Sequence, residues 1–180
     1  MDEEQVRAIE EHIPALRRYA RALVRDADKA DDLVQDCLER SVSRIAQFAP
    51  GTNLRTWLFT IMHNLHCDTL RRLQRRGPHV PINEWESNAQ YPATQAAAVE
   101  IREFERAFSR LTKRDQHLLL LVGVEGFSYE EVSEVLGIAV GTVKSRLFRA
   151  RERLRALQGE ADPAGLGAVR RDSALAMRRN

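Results

Sequence analysis

The densest chemistry in this sequence lies between Gly141 and Arg149. There Thr142, Lys144, Ser145, Arg146 and Arg149 interleave with Val143 and Leu147, and Ala150 and Leu154 follow. At helical spacing the aliphatic residues fall on one face and the polar and cationic residues on the other. A helix divided in this way fits the major groove of duplex DNA, where Arg and Lys reach guanine N7 and O6 and the remaining cations meet phosphate. A solvated basic surface is the plain alternative. The preceding residues weigh against it. Ser128 and Glu131 have the spacing of a capping box, Val132, Val135 and Leu136 stripe a short helix, and Gly137 stops it just before the basic helix. A short capped helix, a glycine turn and a basic second helix together make a helix-turn-helix.

Two further clusters could do chemistry. Arg71, Arg72, Arg75 and Arg76 concentrate cations at a helix end, where the helix dipole and a nearby phosphate backbone both favour positive charge. His63, His66 and Cys67 stand at i, i+3 and i+4, so their side chains could converge on one metal ion. No fourth ligand stands nearby in sequence, and a packed or DNA-facing role outweighs a metal. Neither metal nor cofactor is expected. Paired carboxylates, a nucleophile with its base and a phosphate-cradling glycine loop are all lacking, so no enzyme is expected.

The elements that must position these groups read as helices throughout. Leu16, Tyr19, Ala20, Leu23 and Val24 stripe a first helix. Asp28 offers an N-cap, with Asp31 three residues on, to a second helix along Ala30, Leu33, Val34, Cys37, Leu38, Val42 and Ile45, ending near Phe48. Ala49, Pro50, Gly51 and Thr52 break the pattern, and Asn53 caps a third helix striped by Leu54, Trp57, Leu58, Ile61, Met62, Leu65, Thr69 and Leu73. In that stripe Trp57 is expected to be buried rather than free for base stacking. Prolines and glycine scattered from Gly77 to Ala97 indicate an extended linker. Helical spacing resumes near Val99 through Ile101, Phe104, Phe108 and Leu111, and Thr112 with Asp115 caps the next helix over Leu118 to Val122.

The expected fold is therefore all-α: two small helical domains, 1–76 and 98–158, joined by an extended linker over 77–97, with the helix-turn-helix in the second. Residues 159–180 have no sustained periodicity, and disorder is expected there. Lys and Arg number 28 against 26 Asp and Glu, a net charge of +2, so DNA binding must come from where the cations lie. Cys37 and Cys67 have no spacing suggestive of a disulfide framework, which fits a reducing cytoplasm. The acidic N-terminus and the lack of a long apolar run argue against secretion and membrane insertion.

The stretch FSYEEVSEVLGIAVGTVKSRLFRARERL resembles the promoter-reading C-terminal domain of extracytoplasmic-function sigma factors of bacterial RNA polymerase, with Ala139 where a proline is frequent. Lys29 to Ser41 resembles the same family's polymerase-docking helix, with Lys29 in place of an arginine. NLRTWLFTIMHNLHCDTLRR resembles its promoter-melting segment. The resemblance implies that Asp32, Gln35, Asp36 and Glu39 contact the clamp coiled coil of the polymerase β′ subunit. It implies that the loop from Phe48 to Thr52 and Asn53 hold a flipped base of the minus-10 element, while Asn64, Asp68, Arg71, Arg72 and Arg75 line the strand. Thr142, Lys144, Ser145, Arg146 and Arg149 would read the minus-35 element. It further implies core polymerase, promoter DNA and a restraining anti-sigma factor as partners, in a stress or envelope response. Without the resemblance, the exposed acidic residues of the second helix would read simply as its wet side. Two other functions stay open: a sigma-like decoy that sequesters an anti-sigma factor, and a helix-turn-helix regulator.

Overall fold

The computed structural model describes residues 3–24, 26–49, 51–75 and 95–160. Every element among them is helical: α1 (Glu3–Glu10), α2 (Ile13–Val24), α3 (Ala27–Arg44), a single 3-10 turn (Ile45–Gln47), α4 (Leu54–Arg75), α5 (Gln95–Ser109), α6 (Lys113–Gly123), α7 (Tyr129–Leu136) and α8 (Val140–Glu160). The expected linker up to residue 94 and the expected disordered tail from 161 lie outside the described residues.

The first helical group forms where three apolar stripes meet. Leu16, Tyr19 and Leu23 of α2, Ala30, Leu33, Val34 and Cys37 of α3, and Leu58, Phe59 and Met62 of α4 are all buried together. The Cys37 thiol donates to the Leu58 carbonyl across this core at 3.5 Å, and burial pushes it up to about 12. Several local expectations need correcting. Helix α1, which is short and carries three glutamates, has too little apolar spacing to have been anticipated. The N-cap of α3 is Asp26 rather than Asp28: its carboxylate accepts from the Lys29 N–H at 3.1 Å, placing Asp28 inside the first turn. Val42 and Leu73, read as part of the apolar stripes, are 45% and 40% exposed because each lies near the end of its helix, past the packed neighbours. Trp57 is half-buried against Phe48, with ring centroids 5.3 Å apart.

The second group begins earlier than expected, at Gln95. Phe108, Leu111, Leu118, Leu121, Val132, Val135, Val143, Leu147 and Ala150 are buried in it. Gln116 is buried too, and its amide N–H groups serve the carbonyls of Phe108, Ser109 and Leu111 at 2.9, 3.3 and 3.0 Å. This pins the corner between α5 and α6 and leaves the buried amide nitrogen satisfied. Thr112 caps α6 through the Asp115 N–H at 3.2 Å. Ser128 and Glu131 form the reciprocal box that opens α7. Gly137, at φ 63° and ψ 37°, closes α7 in the left-handed region and turns the chain into α8.

The two groups share one continuous core instead of standing apart. Helix α4 packs against α7 and α2 against α6, and the Phe59 ring meets the Phe127 ring edge-on at 4.8 Å. Helix α4 is thus the central element, with the first group on one side and the second on another.

A Cβ at position 137 would meet no atom within 4 Å, so a substitution there is opposed only by backbone conformation. Gly137→Ala is expected to lower stability by about 1 kcal/mol, the cost of an L-residue in the left-handed region. Denaturant unfolding of both proteins checks this, and a cost near zero would mean the turn has rearranged.

Candidate nucleic-acid and polymerase interfaces

On α8 the sequence periodicity resolves into two unlike faces. Val143, Leu147 and Ala150 are buried beneath, while Lys144, Ser145 and Arg149 are exposed and Thr142 and Arg146 half-buried at the edge. The Arg149 guanidinium donates to the Ser145 carbonyl at 3.2 Å and the Ser145 hydroxyl to the Thr142 carbonyl at 3.2 Å, so the polar residues are ordered along the helix. Arg146, Arg149 and Arg153 line one concavity with Thr112, Lys113, Arg114 and Asp115, and Arg153 is tied to Asp115 at 2.9 Å. Phe148, which drew no attention in the sequence, stands 67% exposed on this face. Its position four residues after Lys144 was the available signal.

On α4 the residues expected to follow a single strand share one exposed face. Asn53 at the cap, Asn64 and Asp68 in the middle and Arg71, Arg72 and Arg75 at the end are spaced to fall within one side of the helix, and all but the half-buried Asp68 are exposed. Arg71 donates to Asp68 at 2.9 Å, and Asn53 caps the helix by accepting from the Thr56 N–H at 3.3 Å. Arg76 lies outside the described residues. On α3, Asp32, Gln35, Asp36 and Glu39 form a continuous exposed stripe, with Gln35 donating to Glu39 at 3.0 Å.

Sequence reasoning missed the groups that join the two halves. Glu125 has no exposed side-chain surface, yet it sits in the turn between α6 and α7 facing the first group. Arg18 of α2 grips both its oxygens, at 2.9 and 2.7 Å, and Arg55 of α4 reaches it at 3.3 Å while lying 4.2 Å over the Phe127 ring. Asn53 donates to Glu131 at 2.7 Å. The partners of each contact lie 70 to 107 residues apart, so no local spacing could reveal them.

The histidine cluster belongs to this junction. His63 and His66 face His117 of α6, and the Nδ1 atoms of His63 and His117 are 3.2 Å apart, one donating and one accepting. Cys67 lies 3.4 Å from the opposite nitrogen of His63. The ring Nε2 atoms of His66 and His117 are buried without a partner among the described residues. The cluster therefore packs one helical group on the other.

These faces and this packing define a two-domain helical DNA-binding protein of the transcription machinery. Residues 9–63 match the Sigma2 domain of PhyR, and residues 101–154 match sigma-70 region 4. Over 145 residues the chain is 42% identical to the ECF RNA polymerase sigma factor EcfG of Rhodopseudomonas palustris, covering 81% of this chain and 80% of that one. It is 32% identical to the ECF sigma factor SigM of Mycobacterium tuberculosis, covering 82% and 74%. Among solved structures, the sigma factor RpoE in complex with the anti-sigma factor NepR from Bartonella quintana superposes with a TM-score of 0.74 at 35% identity, over 88% of this chain and 98% of that one. CnrH in complex with the cytosolic domain of CnrY gives 0.64 at 27% identity, over 87% of each. The chain belongs to the extracytoplasmic-function family of RNA polymerase sigma factors.

The buried histidines give the junction a pH dependence of definite sign. Burial, with Lys113 and His63 nearby, lowers His66 to about 4. Burial, with His63, His66 and Lys113, lowers His117 to about 3. Both are held neutral when folded and take up a proton below about 6.5 when released. Stability is therefore full above that pH and declines as pH falls, by about 1.4 kcal/mol per pH unit for one such group. Melting temperatures measured between pH 7 and pH 5 are expected to decrease, and the slope to flatten in His117→Gln. An equal slope in the variant would remove His117 from this role.

Proposed function

We propose that this sigma factor divides its work between two units, one through residue 76 and one from α5 to residue 158. In the first, Asp32, Gln35, Asp36 and Glu39 dock on the β′ clamp coiled coil of core polymerase. Asn53, Asn64, Asp68, Arg71, Arg72 and Arg75 hold the separated strand of the minus-10 element. In the second, Thr142, Lys144, Ser145, Arg146 and Arg149 read duplex DNA at the minus-35 element. The observation that carries this reading is the divided surface of α8, whose buried aliphatic side fixes the helix so that its cationic side projects as a unit. Opening the duplex needs cations beside a pocket for an unpaired base, and α4 supplies the cations along the face that Asn53 begins. The chain itself forms and breaks no covalent bond; nucleotide addition belongs to the polymerase.

An anti-sigma factor is the natural antagonist, since the sigma factor RpoE is solved with the anti-sigma factor NepR and CnrH with the cytosolic domain of CnrY. Work with polymerase places the chain in the cytoplasm. No helix among the described residues is long and apolar enough to cross a membrane. A stress or envelope response is the fitting setting. The match of residues 9–63 to the PhyR domain favours a second reading, a decoy that binds the anti-sigma factor without serving polymerase.

In vitro transcription with purified core polymerase on genomic DNA separates the two. Promoter-specific start sites are expected, and their complete lack would leave the decoy. Arg146→Ala or Arg149→Ala is expected to weaken promoter binding by about 1 to 3 kcal/mol where a base contact is lost. Unchanged binding of the polymerase holoenzyme at two salt concentrations would count against this face.

A further inference from the structure

The junction between the two units engages a residue that the proposed function needs for DNA. Asn53, at the tip of α4, is held at 2.7 Å by Glu131, whose other oxygen accepts from the Ser128 N–H at 2.8 Å in the capping box of the helix-turn-helix. Beside it the Glu125 carboxylate, wholly withdrawn from solvent, is held by Arg18 and Arg55. Gly126, at φ 69°, lets the turn carrying Glu125 bend in this way. The contacts of Asn53, Arg18 and Arg55 with the two glutamates all cross from one unit to the other.

This closed arrangement does not suit a promoter. Elements centred at minus 10 and minus 35 are separated by about 25 base pairs, or roughly 85 Å along the duplex at about 3.4 Å per base pair. Two units that share a core cannot reach both. The backbone from Arg75 to Gln95 can extend to about 70 Å at some 3.5 Å per residue, and the breadth of the units themselves makes up the difference. Covalent connectivity therefore permits an open form in which the junction is broken. The α3 stripe of Asp32, Gln35, Asp36 and Glu39 is exposed in the closed form, so docking on polymerase need not wait for opening.

A junction made of ions is suited to being released. A buried carboxylate is tolerated only with its partners in place. Once the units separate, Glu125, Arg18, Arg55, Asn53 and Glu131 can all be hydrated. We propose that the grip of Arg18 and Arg55 on Glu125, with that of Glu131 on Asn53, is an autoinhibitory latch. It holds the free sigma factor shut, keeps its base-capturing end from DNA, and is undone when both units engage polymerase. This rests on the polymerase-binding function above.

The latch predicts that loosening it favours every partner of the open form, because binding to a scarcely populated state is weakened in proportion to its scarcity. The full chain, its Glu125→Gln variant and its Arg18→Gln variant are compared by small-angle X-ray scattering and by titration onto purified core polymerase. Arg18→Gln alters a half-exposed side chain outside both cores, and far-UV circular dichroism verifies that each variant keeps its helices. The wild type is expected to be compact, and both variants are expected to show a larger radius of gyration and to bind polymerase roughly fivefold or more tightly. A wild type already as extended as the variants, or helical variants that are neither expanded nor tighter, would overturn the latch. Failure of the wild type to bind polymerase would instead overturn the proposed function, and the scattering would still judge the latch alone.

Discussion

A single carboxylate governs the way the halves of this chain meet. Glu125 lies out of contact with water, where an isolated negative charge is strongly disfavoured, and its position is tolerable only because two arginines from the other half converge on it. Around this pairing the remaining contacts of the junction fall into place. Arg55 lies flat on Phe127, Phe127 meets Phe59, and Phe59 leans on Tyr19 in the core of the first unit. The apolar surfaces supply most of the attraction, since withdrawing such rings from water is strongly favourable and a buried ion pair gains little on balance. The ions decide alignment, because a bidentate grip accepts one geometry and penalises neighbouring ones.

Glu131 shows how closely local and long-range order are joined. One of its oxygens completes the box that starts α7, and the other holds Asn53 of the first unit. Asn53 is likewise divided, its carbonyl oxygen capping α4 and its amide donating across the junction. The two caps meet head to head, so the ends of α4 and α7 are fixed relative to one another by the same side chains that begin them. The histidines below add a second kind of control, since the rings of His66 and His117 pack neutral, with Nε2 unpartnered among the described residues.

Much of the fold was legible because helices announce themselves by period and cap. The boxes at Thr112 and Ser128, the stop at Gly137 and the divided surface of α8 depend on residues within a few positions of one another, and the structure has them where the spacing predicts. The errors were local as well. Asp26 and Asp28 are both acceptable caps, and only the backbone chooses between them; Val42 keeps the period of its helix beyond the point where a neighbour covers it. What could not be read was the junction. Arg18, Glu125 and His117 look like an ordinary surface cation, a turn carboxylate and a helix histidine, and their meaning comes from contacts more than fifty residues away. The exposed stripes on α3 and α4 drew their significance from resemblance, since periodicity alone cannot tell a docking face from a wet one.

Helix α4 has almost no idle circumference. Leu58, Ile61, Met62 and Leu65 face its own unit, Arg55, Phe59, His63 and His66 turn toward the other, and Asn53, Asn64, Asp68 and Arg71 line the open side. Over evolutionary time such a helix drifts slowly. Insertion of a single residue would rotate everything beyond it by about 100° and misplace all three faces together. Change along this segment is therefore confined to substitutions that respect three sets of neighbours at once, whereas the outer surface of α3 answers to one.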